Sequence, residues 1–160
     1  MGRSGLKERV GVRRLALILL LLFPLLSCGQ STKIDVKDAW TRDTIGRTAN
    51  AAIFMVITSQ RADRLVGAST PIARKTDLMT IAGGNGAMEM QYVQGIDIPA
   101  NKPVSLNSGG LHVWLADLKQ PLRAGQTFPL FLKFEKAGQR QVTVSVISPA
   151  AAPPMSGMKM

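Results

Sequence analysis

Sulfur and imidazole donors for a metal ion gather in two places along this sequence. Met79, Met88 and Met90 surround a glycine-rich segment, and His112, the single histidine of the chain, follows them. Three more methionines lie in the last six residues, at Met155, Met158 and Met160. Thioethers and a neutral imidazole favour Cu(I) among the biological metals, so these residue types indicate a copper site. Zinc fits them poorly, because zinc sites use thiolates, several imidazoles or carboxylates.

A structural interpretation of the same residues stays open at this point. Methionine fills irregular gaps in hydrophobic cores, and a lone histidine on a strand is often satisfied by one hydrogen bond. Met55 lies in the apolar run 51–58, and we interpret it as a core residue. For the other methionines, spacing alone does not decide between a copper site and ordinary packing.

The N-terminal segment has the pattern of an export signal. Basic residues precede an apolar run at 15–26 that contains a proline. A membrane-spanning helix needs about 20 apolar residues, so this shorter run predicts a secretory signal peptide instead. The run ends in Leu-Leu-Ser-Cys at 25–28, which resembles a bacterial lipobox. We therefore expect Cys28 to be lipidated; the alternative is an ordinary signal peptide in which this cysteine is incidental.

The basic charge of the chain does not indicate nucleic-acid binding. The formal net charge is +10, but residues 1–27 contribute +4 of it and leave +6 on the rest of the chain. The remaining Lys and Arg are scattered singly, and one Tyr offers little stacking surface, so we exclude nucleic acid as a partner. If Cys28 is lipidated, no thiol remains for nucleophilic catalysis or a blue-copper site.

The elements that must position the donors are predicted to be strands. We expect a lipoprotein signal peptide at 1–27, a lipid-anchored tether at 28–32, one domain at 33–148 and a flexible Met-rich tail at 149–160. Short apolar or alternating runs separated by Gly- and Pro-containing turns predict an all-β fold, an antiparallel Greek-key β-sandwich. The expected strands are 33–40, 51–58, 64–68, 76–81, 87–93, 104–106, 111–115, 128–134 and 141–147, the last two forming a closing hairpin.

Residues two apart in a strand share a face, and this period places the donors. Met88 and Met90 are expected to point the same way, as are His112 and Trp114. The sandwich then brings the excursion 79–90 beside the strand 111–115, so that the donors converge near one end of the domain. In the first strand, the same parity predicts that three apolar residues share a face: Ile34, Val36 and Trp40.

The chain from 61 to 147 resembles the periplasmic copper chaperones of the PCuAC type. The most specific segments are Gly-Gly-Leu-His at 109–112 and Leu-Lys-Gln-Pro-Leu at 118–122. Others are Asp-Arg-Leu-Val-Gly-Ala-Ser at 63–69, Met-Glu-Met-Gln at 88–91, 95–100 and 134–138. The resemblance implies a cupredoxin-like β-sandwich.

The copper motif of that family is His, ten residues, Met, twenty-one residues and His-x-Met. Its spacing falls here on Met79, Met90, His112 and Trp114, so Met replaces the first His and Trp replaces the last Met. The resemblance implies a three-donor site of Met79, Met90 and His112. Trp114 either shields the ion through a cation–π contact or only packs, and Met88 assists or covers the site. The tail methionines resemble the Met-rich tails of many family members: Met155, Met158 and Met160 supply a further donor, capture copper, or belong to a disordered end.

The function implied by the resemblance is that of an extracytoplasmic copper chaperone, which is not an enzyme. It would carry Cu(I) on the periplasmic face of a bacterial membrane, held there by its lipid anchor. It would deliver the ion to a partner, the copper site of cytochrome c oxidase on subunit II. Two alternatives are a copper-buffering or resistance protein without a dedicated acceptor and a non-metal β-sandwich lipoprotein. An electron-transfer cupredoxin is disfavoured because it requires a cysteine thiolate.

Overall fold

Ten β-strands build the part of the chain that the structure describes. This computed structural model describes residues 32–46, 48–84, 87–151 and 153–154. The strands are β1 Ile34–Arg42, β2 Ala51–Ser59, β3 Asp63–Ser69, β4 Ala73–Gly84, β5 Ala87–Tyr92, β6 Ile96–Ile98, β7 Val104–Leu106, β8 His112–Leu118, β9 Thr127–Phe134 and β10 Gly138–Ile147.

Several sequence predictions concern residues outside the described ranges. The expected signal peptide, the lipidation site Cys28 and the tail methionines Met155, Met158 and Met160 are among them. The chain divides after Gln30, and all described residues belong to the unit Ser31–Met160. Within the described ranges, no helix has the length and apolar character that a membrane crossing requires.

Hydrogen bonds connect the strands in the order β5-β4-β8-β2-β1-β10-β9-β3-β6, with β7 paired to β2. The strands form two sheets that share β2. Residues 51–53 of β2 pair with β8 in the sheet of β5, β4 and β8, while residues 55–57 pair with β7 in the sheet that also contains β1, β10, β9, β3 and β6. The paired strands are antiparallel except β1 and β10, which run parallel. A parallel pair needs a long crossover connection, and here most of the domain lies between the two strands. The predicted all-β class is confirmed, with a mixed pattern of pairing.

The hydrophobic core fills the space between the two sheets. Strand β9 alternates in the expected way: Phe128, Leu130, Leu132 and Phe134 are buried, while Lys133 is exposed. From the other sheet, the core receives side chains of β2, β4 and β8, including Ile53, Met55, Leu78, Val113 and Leu115. The prediction that Met55 is a core residue is confirmed.

A β-bulge in β1 overturns the predicted face of Trp40. Val36 pairs with Ile57, but the register shifts between Lys37 and Trp40, and Trp40 pairs with Phe54. Residues 54 and 57 of a strand point to opposite faces, so Trp40 faces away from Val36. The extra residue allows Asp38 to adopt φ 52°, a conformation that Asp tolerates better than most residues. The prediction that Trp40 shares a face with Ile34 and Val36 was therefore wrong.

The predicted closing hairpin of β9 and β10 is confirmed, and a buried carboxylate holds it to β3. Asp63 accepts hydrogen bonds from the backbone N–H groups of Arg64, Lys136 and Ala137, at 2.7 to 2.9 Å. Burial by itself raises the pKa of Asp63. The three N–H donors and the charge of Lys136 outweigh burial and leave the pKa below its ordinary value.

Strands β4 and β10 begin earlier than predicted, β1 and β8 end later, and β6 was not predicted. Strand β4 begins at Ala73 rather than at residue 76. The polar residues at its start obscure the strand pattern in the sequence, but this part of β4 still pairs with β8. Strand β6 was not predicted, since three residues followed by Pro99 are too few to show a period. It pairs with β3 and lies at the end of the strand order opposite β5.

Candidate metal centre

Met79 and His112 stand directly opposite each other on adjacent strands. Strand β4 lies between β8 and β5, and Met79 pairs with His112 on one side and with Tyr92 on the other. Directly opposed residues of an antiparallel pair project to the same face, with Cβ atoms about 4.5–5.5 Å apart. The structure therefore brings together two of the three donors that the sequence predicted, a thioether and the only imidazole.

Both donors are buried although they face away from the main core. Leu78 and Val113, their chain neighbours, point into the core, so Met79 and His112 lie on the outer face of the sheet. The two residues are nevertheless only 5% and 2% exposed. Phe54 helps to cover His112, with its ring centroid 6.4 Å from that of the imidazole. A cation bound between the two donors would be largely removed from water.

The carbonyl of Gly110 fixes the histidine ring. Nδ1 of His112 lies 2.9 Å from this oxygen, which can only accept a hydrogen bond. Nδ1 must then carry the proton in a neutral ring, which leaves the lone pair on Nε2. The same carbonyl accepts a hydrogen bond from the N–H of Ile81 at 3.3 Å, so it also links the histidine to β4. A backbone partner on the non-ligating nitrogen is the usual arrangement behind a metal-binding histidine.

Met90 and Met88 occupy the outer strand of the same face. Met90 pairs with Ile81 and Met88 with Gly83, so the predicted common face of the two methionines is confirmed. They are 46% and 75% exposed. From the register, Met90 is two strands and one pleat repeat away from His112, or about 12 Å between Cα atoms. The third predicted donor thus lies on the rim of the centre rather than beside His112.

Trp114 lies next along β8, on the same face as His112. The two ring centroids are 6.3 Å apart in an edge-to-face arrangement. Trp114 is half-buried between Ala52 and Asp77, its partners on the neighbouring strands. The ring therefore covers the end of the centre remote from Met90.

Sequence reasoning missed a charged group next to the centre. Asp77 is two residues before Met79 on the same face, and its Oδ2 is 3.3 Å from Nζ of Lys75. That ammonium lies 5.2 Å from the ring centroid of Tyr92. The hydrogen bond and charge of Asp77, followed by Tyr92, raise the pKa of Lys75. The alternation Lys75, Asp77, Met79 was the available signal, because its period of two places all three on one face.

A wide groove with aromatic walls also escaped the sequence analysis. It has a volume of about 1010 Å³ and is lined by Trp40, Phe54 and Trp114, among others. Trp40 and Phe54 are 4.7 Å apart between ring centroids, and Phe54 in turn contacts His112. We call this feature the aromatic groove. It depends on the bulge in β1, which turns Trp40 to this face.

The chemistry of this arrangement suits a soft cation. Within the described ranges, no three residues among His, Cys, Asp and Glu come together as a metal-binding group. The donors that do come together are sulfur and a neutral nitrogen with an oriented lone pair. Such a set favours Cu(I) over zinc, calcium or magnesium.

Comparison with known proteins agrees with the fold and the donor chemistry. A copper-bound PCuAC domain from PmoF2 is 28% identical, with a TM-score of 0.61, and the match covers 73% of this chain and 94% of that domain. The Cu(I) form of DR1885 from Deinococcus radiodurans is also 28% identical, with a TM-score of 0.58 and coverage of 76% and 80%. These neighbours define a PCuAC-like, cupredoxin-like domain and confirm the resemblance predicted from the sequence.

The chain belongs to the LpqE-like family. Residues 34–146 match the family described as "Putative lipoprotein LpqE-like". A relative from Leifsonia xyli subsp. xyli, described as "Putative lipoprotein Lxx21020", is 34% identical over 119 residues, which is 73% of this chain and 71% of that protein. Two of the solved structures that the chain resembles hold copper, and the descriptions of the family and of the relative both name a lipoprotein.

Proposed function

We propose that this protein is a lipid-anchored, extracytoplasmic copper chaperone that carries Cu(I) as its cargo. The observation that carries the proposal is the pairing of Met79 with His112, whose Nε2 is left free by the hydrogen bond to Gly110. Copper-bound relatives support the choice of ion. The arrangement needs no nucleophile or general base, so we infer a carrier rather than an enzyme.

The third donor of the proposed site is Met90. Its side chain must move inward from the rim, and the glycines at 83 and 84 near the turn between β4 and β5 favour such a movement. Cu(I) accepts two or three soft ligands, so Met79 and His112 hold the ion and Met90 closes the site. Met88 then covers the opening, and Trp114 shields the opposite end by ring contact. A methionine of the tail, Met155, Met158 or Met160, provides an additional donor.

Graded exposure along this face provides a route for ligand exchange. Met88 is the most exposed donor, Met90 is half-exposed and Met79 with His112 is buried. An acceptor that contacts the rim can take over the ion from Met90 before the buried pair releases it. We propose the copper site on cytochrome c oxidase subunit II as the acceptor. Attachment through Cys28 would keep the chaperone beside the membrane, on its periplasmic face.

Direct transfer separates a chaperone from a copper buffer. The Cu(I)-loaded protein is mixed with the metal-free soluble domain of subunit II, and the copper content of each is measured after rapid separation. In a parallel reaction, a small Cu(I) chelator replaces the acceptor at equal affinity and concentration. A chaperone transfers copper faster to the acceptor than to the chelator, whereas equal rates indicate free release and favour the buffering alternative.

A matched variant identifies the route of transfer. Met88→Ala removes the exposed rim thioether and leaves the buried pair untouched. We expect slower transfer to the acceptor with little change in the affinity for Cu(I). Unchanged transfer rates would exclude the rim as the exchange route, while loss of affinity would place Met88 among the primary ligands.

A further inference from the structure

The aromatic groove is an open, largely apolar surface beside the metal centre. Its walls include Trp40, Phe54 and Trp114, and Ile45, an exposed apolar side chain, stands at its margin. Large exposed apolar surfaces on soluble proteins usually mark sites that bind a partner or a ligand. The groove is also continuous with the metal centre, because Phe54 and Trp114 contact the ring of His112.

The C-terminal segment of the same chain enters the groove. After β10 ends at Ile147, Nη1 of Arg42 donates hydrogen bonds to the carbonyl oxygens of Ser148 and Pro149. Pro153 and Pro154 then form part of the groove lining. The six residues that follow have the sequence Met-Ser-Gly-Met-Lys-Met. An extended segment of six residues reaches about 20 Å, enough to cross the groove from Pro154.

The chemistry of those six residues matches the walls of the groove. Methionine sulfur packs favourably against aromatic rings, and three of the six residues are methionines. The groove is also lined by Asp43, whose buried Oδ1 accepts no hydrogen bond from the described residues. A buried carboxylate oxygen calls for a cationic or hydrogen-bonding partner. Lys159 is the one cation of the segment 149–160, which contains no acidic residue.

We propose that residues 155–160 dock in the aromatic groove of their own chain. The methionines pack against Trp40, Phe54 and Trp114, and the ammonium of Lys159 pairs with Asp43. Docking does not require copper. If the proposed function is correct, docking also brings a tail thioether to the Trp114 end of the centre, opposite Met90, and this consequence alone rests on the copper proposal.

Intrinsic fluorescence tests the docking directly, because both tryptophans of the chain line the groove. The full-length protein is kept metal-free with a copper chelator, and quenching of its emission by acrylamide is measured. A variant that ends at Pro154 is compared with it. We expect deletion of residues 155–160 to raise the quenching constant about twofold and to shift the emission to longer wavelength, as covered indoles become accessible. An unchanged quenching constant would overturn the proposal.

Charge variants test the pairing with Asp43 without shortening the chain. Lys159→Glu is expected to reproduce most of the effect of the deletion, whereas Lys133→Glu, the same change at an exposed residue of β9, has no effect. If Lys159→Glu leaves quenching unchanged, the proposed ion pair is wrong. Protection that grows with protein concentration would assign the groove to the tail of a second copy and overturn docking within one chain.

The metal-free design separates this proposal from the copper proposal. If residues 155–160 shield the tryptophans from acrylamide but the protein binds no Cu(I), the docking proposal stands and the chaperone proposal is wrong. If the protein binds Cu(I) but its tryptophans are quenched equally with and without residues 155–160, the copper proposal stands and the docking proposal is wrong.

Discussion

At His112, the backbone decides which ring nitrogen keeps a free lone pair. The carbonyl oxygen of Gly110 accepts a hydrogen bond from the Nδ1–H group of His112, and Met79 lies opposite His112 on the next strand. A metal bound there would gain one neutral nitrogen and one thioether without the cost of burying a second charge. Each side chain around the pair therefore has a separable contribution, which single substitutions can measure.

Replacement of Met79 by Leu removes a sulfur and keeps the volume. Because Leu and Met exchange at a cost below about 1.5 kcal/mol, stability should change little. We expect the affinity for Cu(I) to fall by at least about tenfold, or about 1.4 kcal/mol, in a competition titration. Met55→Leu is the matched control, since Met55 is buried in the main core and should leave the affinity unchanged. Equal effects of the two substitutions would show that Met79 is a packing residue.

Trp114 occupies the position at which the related copper motif has a donor. Trp114→Met introduces a thioether two residues from His112 on the same face. We expect Cu(I) to bind equally or more tightly, since a soft donor replaces an indole that offers only a ring face. The same competition titration measures the affinity of this variant for Cu(I). A loss of about tenfold would mean that the indole itself contributes to the site.

At the scale of the elements, the site depends on the pairing of β4 with β5 and β8 and on the bulge in β1. The sequence predicted the first of these and not the second. The spacing of Met79, Met90 and His112 and the period of two predicted that their strands approach and which side chains share a face. The bulge that turns Trp40 outward was not predictable, because it depends on how β1 pairs with β2 and β10 together. Asp77 was not predicted because its carboxylate is not a soft donor, although it shares the alternation of Met79. The burial of His112 on the outer face of the sheet and the rim position of Met90 follow from tertiary packing.

The link between β3 and the β9–β10 turn is the clearest target for a stability test. Asp63→Asn replaces an acceptor of three backbone N–H groups with an amide that accepts less and also donates. We expect a loss of about 2–4 kcal/mol in the free energy of unfolding, measured with urea at neutral pH. Asp97→Asn is the control, since the exposed ion pair of Asp97 with Arg64 should be worth less than about 1 kcal/mol.

The contribution of Asp63 should depend on pH in one direction. Its pKa is lower in the folded protein than in the unfolded chain. Its carboxylate therefore stabilises the fold fully above the unfolded pKa of about 3.9, and this stabilisation is lost as the pH falls through the folded pKa. The difference between the wild type and Asp63→Asn should shrink on acidification below about pH 4. A constant difference from pH 7 to pH 2 would assign the loss to geometry alone.

At the scale of the whole molecule, the candidate metal centre and the aromatic groove adjoin each other in the described part of the chain, because Phe54 and Trp114 contact His112. A row of donors runs from the exposed edge strand to the buried His112, and the aromatic groove continues from it on the other side. The lipid anchor proposed at Cys28 would hold the protein at a membrane surface, where a carrier would meet its donors and acceptors.

The anchor is testable by fractionation. Cys28→Ser removes the only thiol of the chain and hence the only residue for lipid attachment at a lipobox. We expect the wild type in the membrane fraction, extractable by detergent, and the variant in the soluble exported fraction. A wild type that is soluble after export would show that the cysteine is incidental.

The central claim is that Met79, Met90 and His112 hold Cu(I), and a competition titration tests it most directly. The full-length protein and the double variant Met90→Ala/His112→Ala are titrated with Cu(I) against a chelator of known affinity. Circular dichroism establishes that both are folded. We expect the wild type to bind Cu(I) at least about a hundredfold more tightly than the double variant, or about 2.7 kcal/mol. Equal affinities would contradict it.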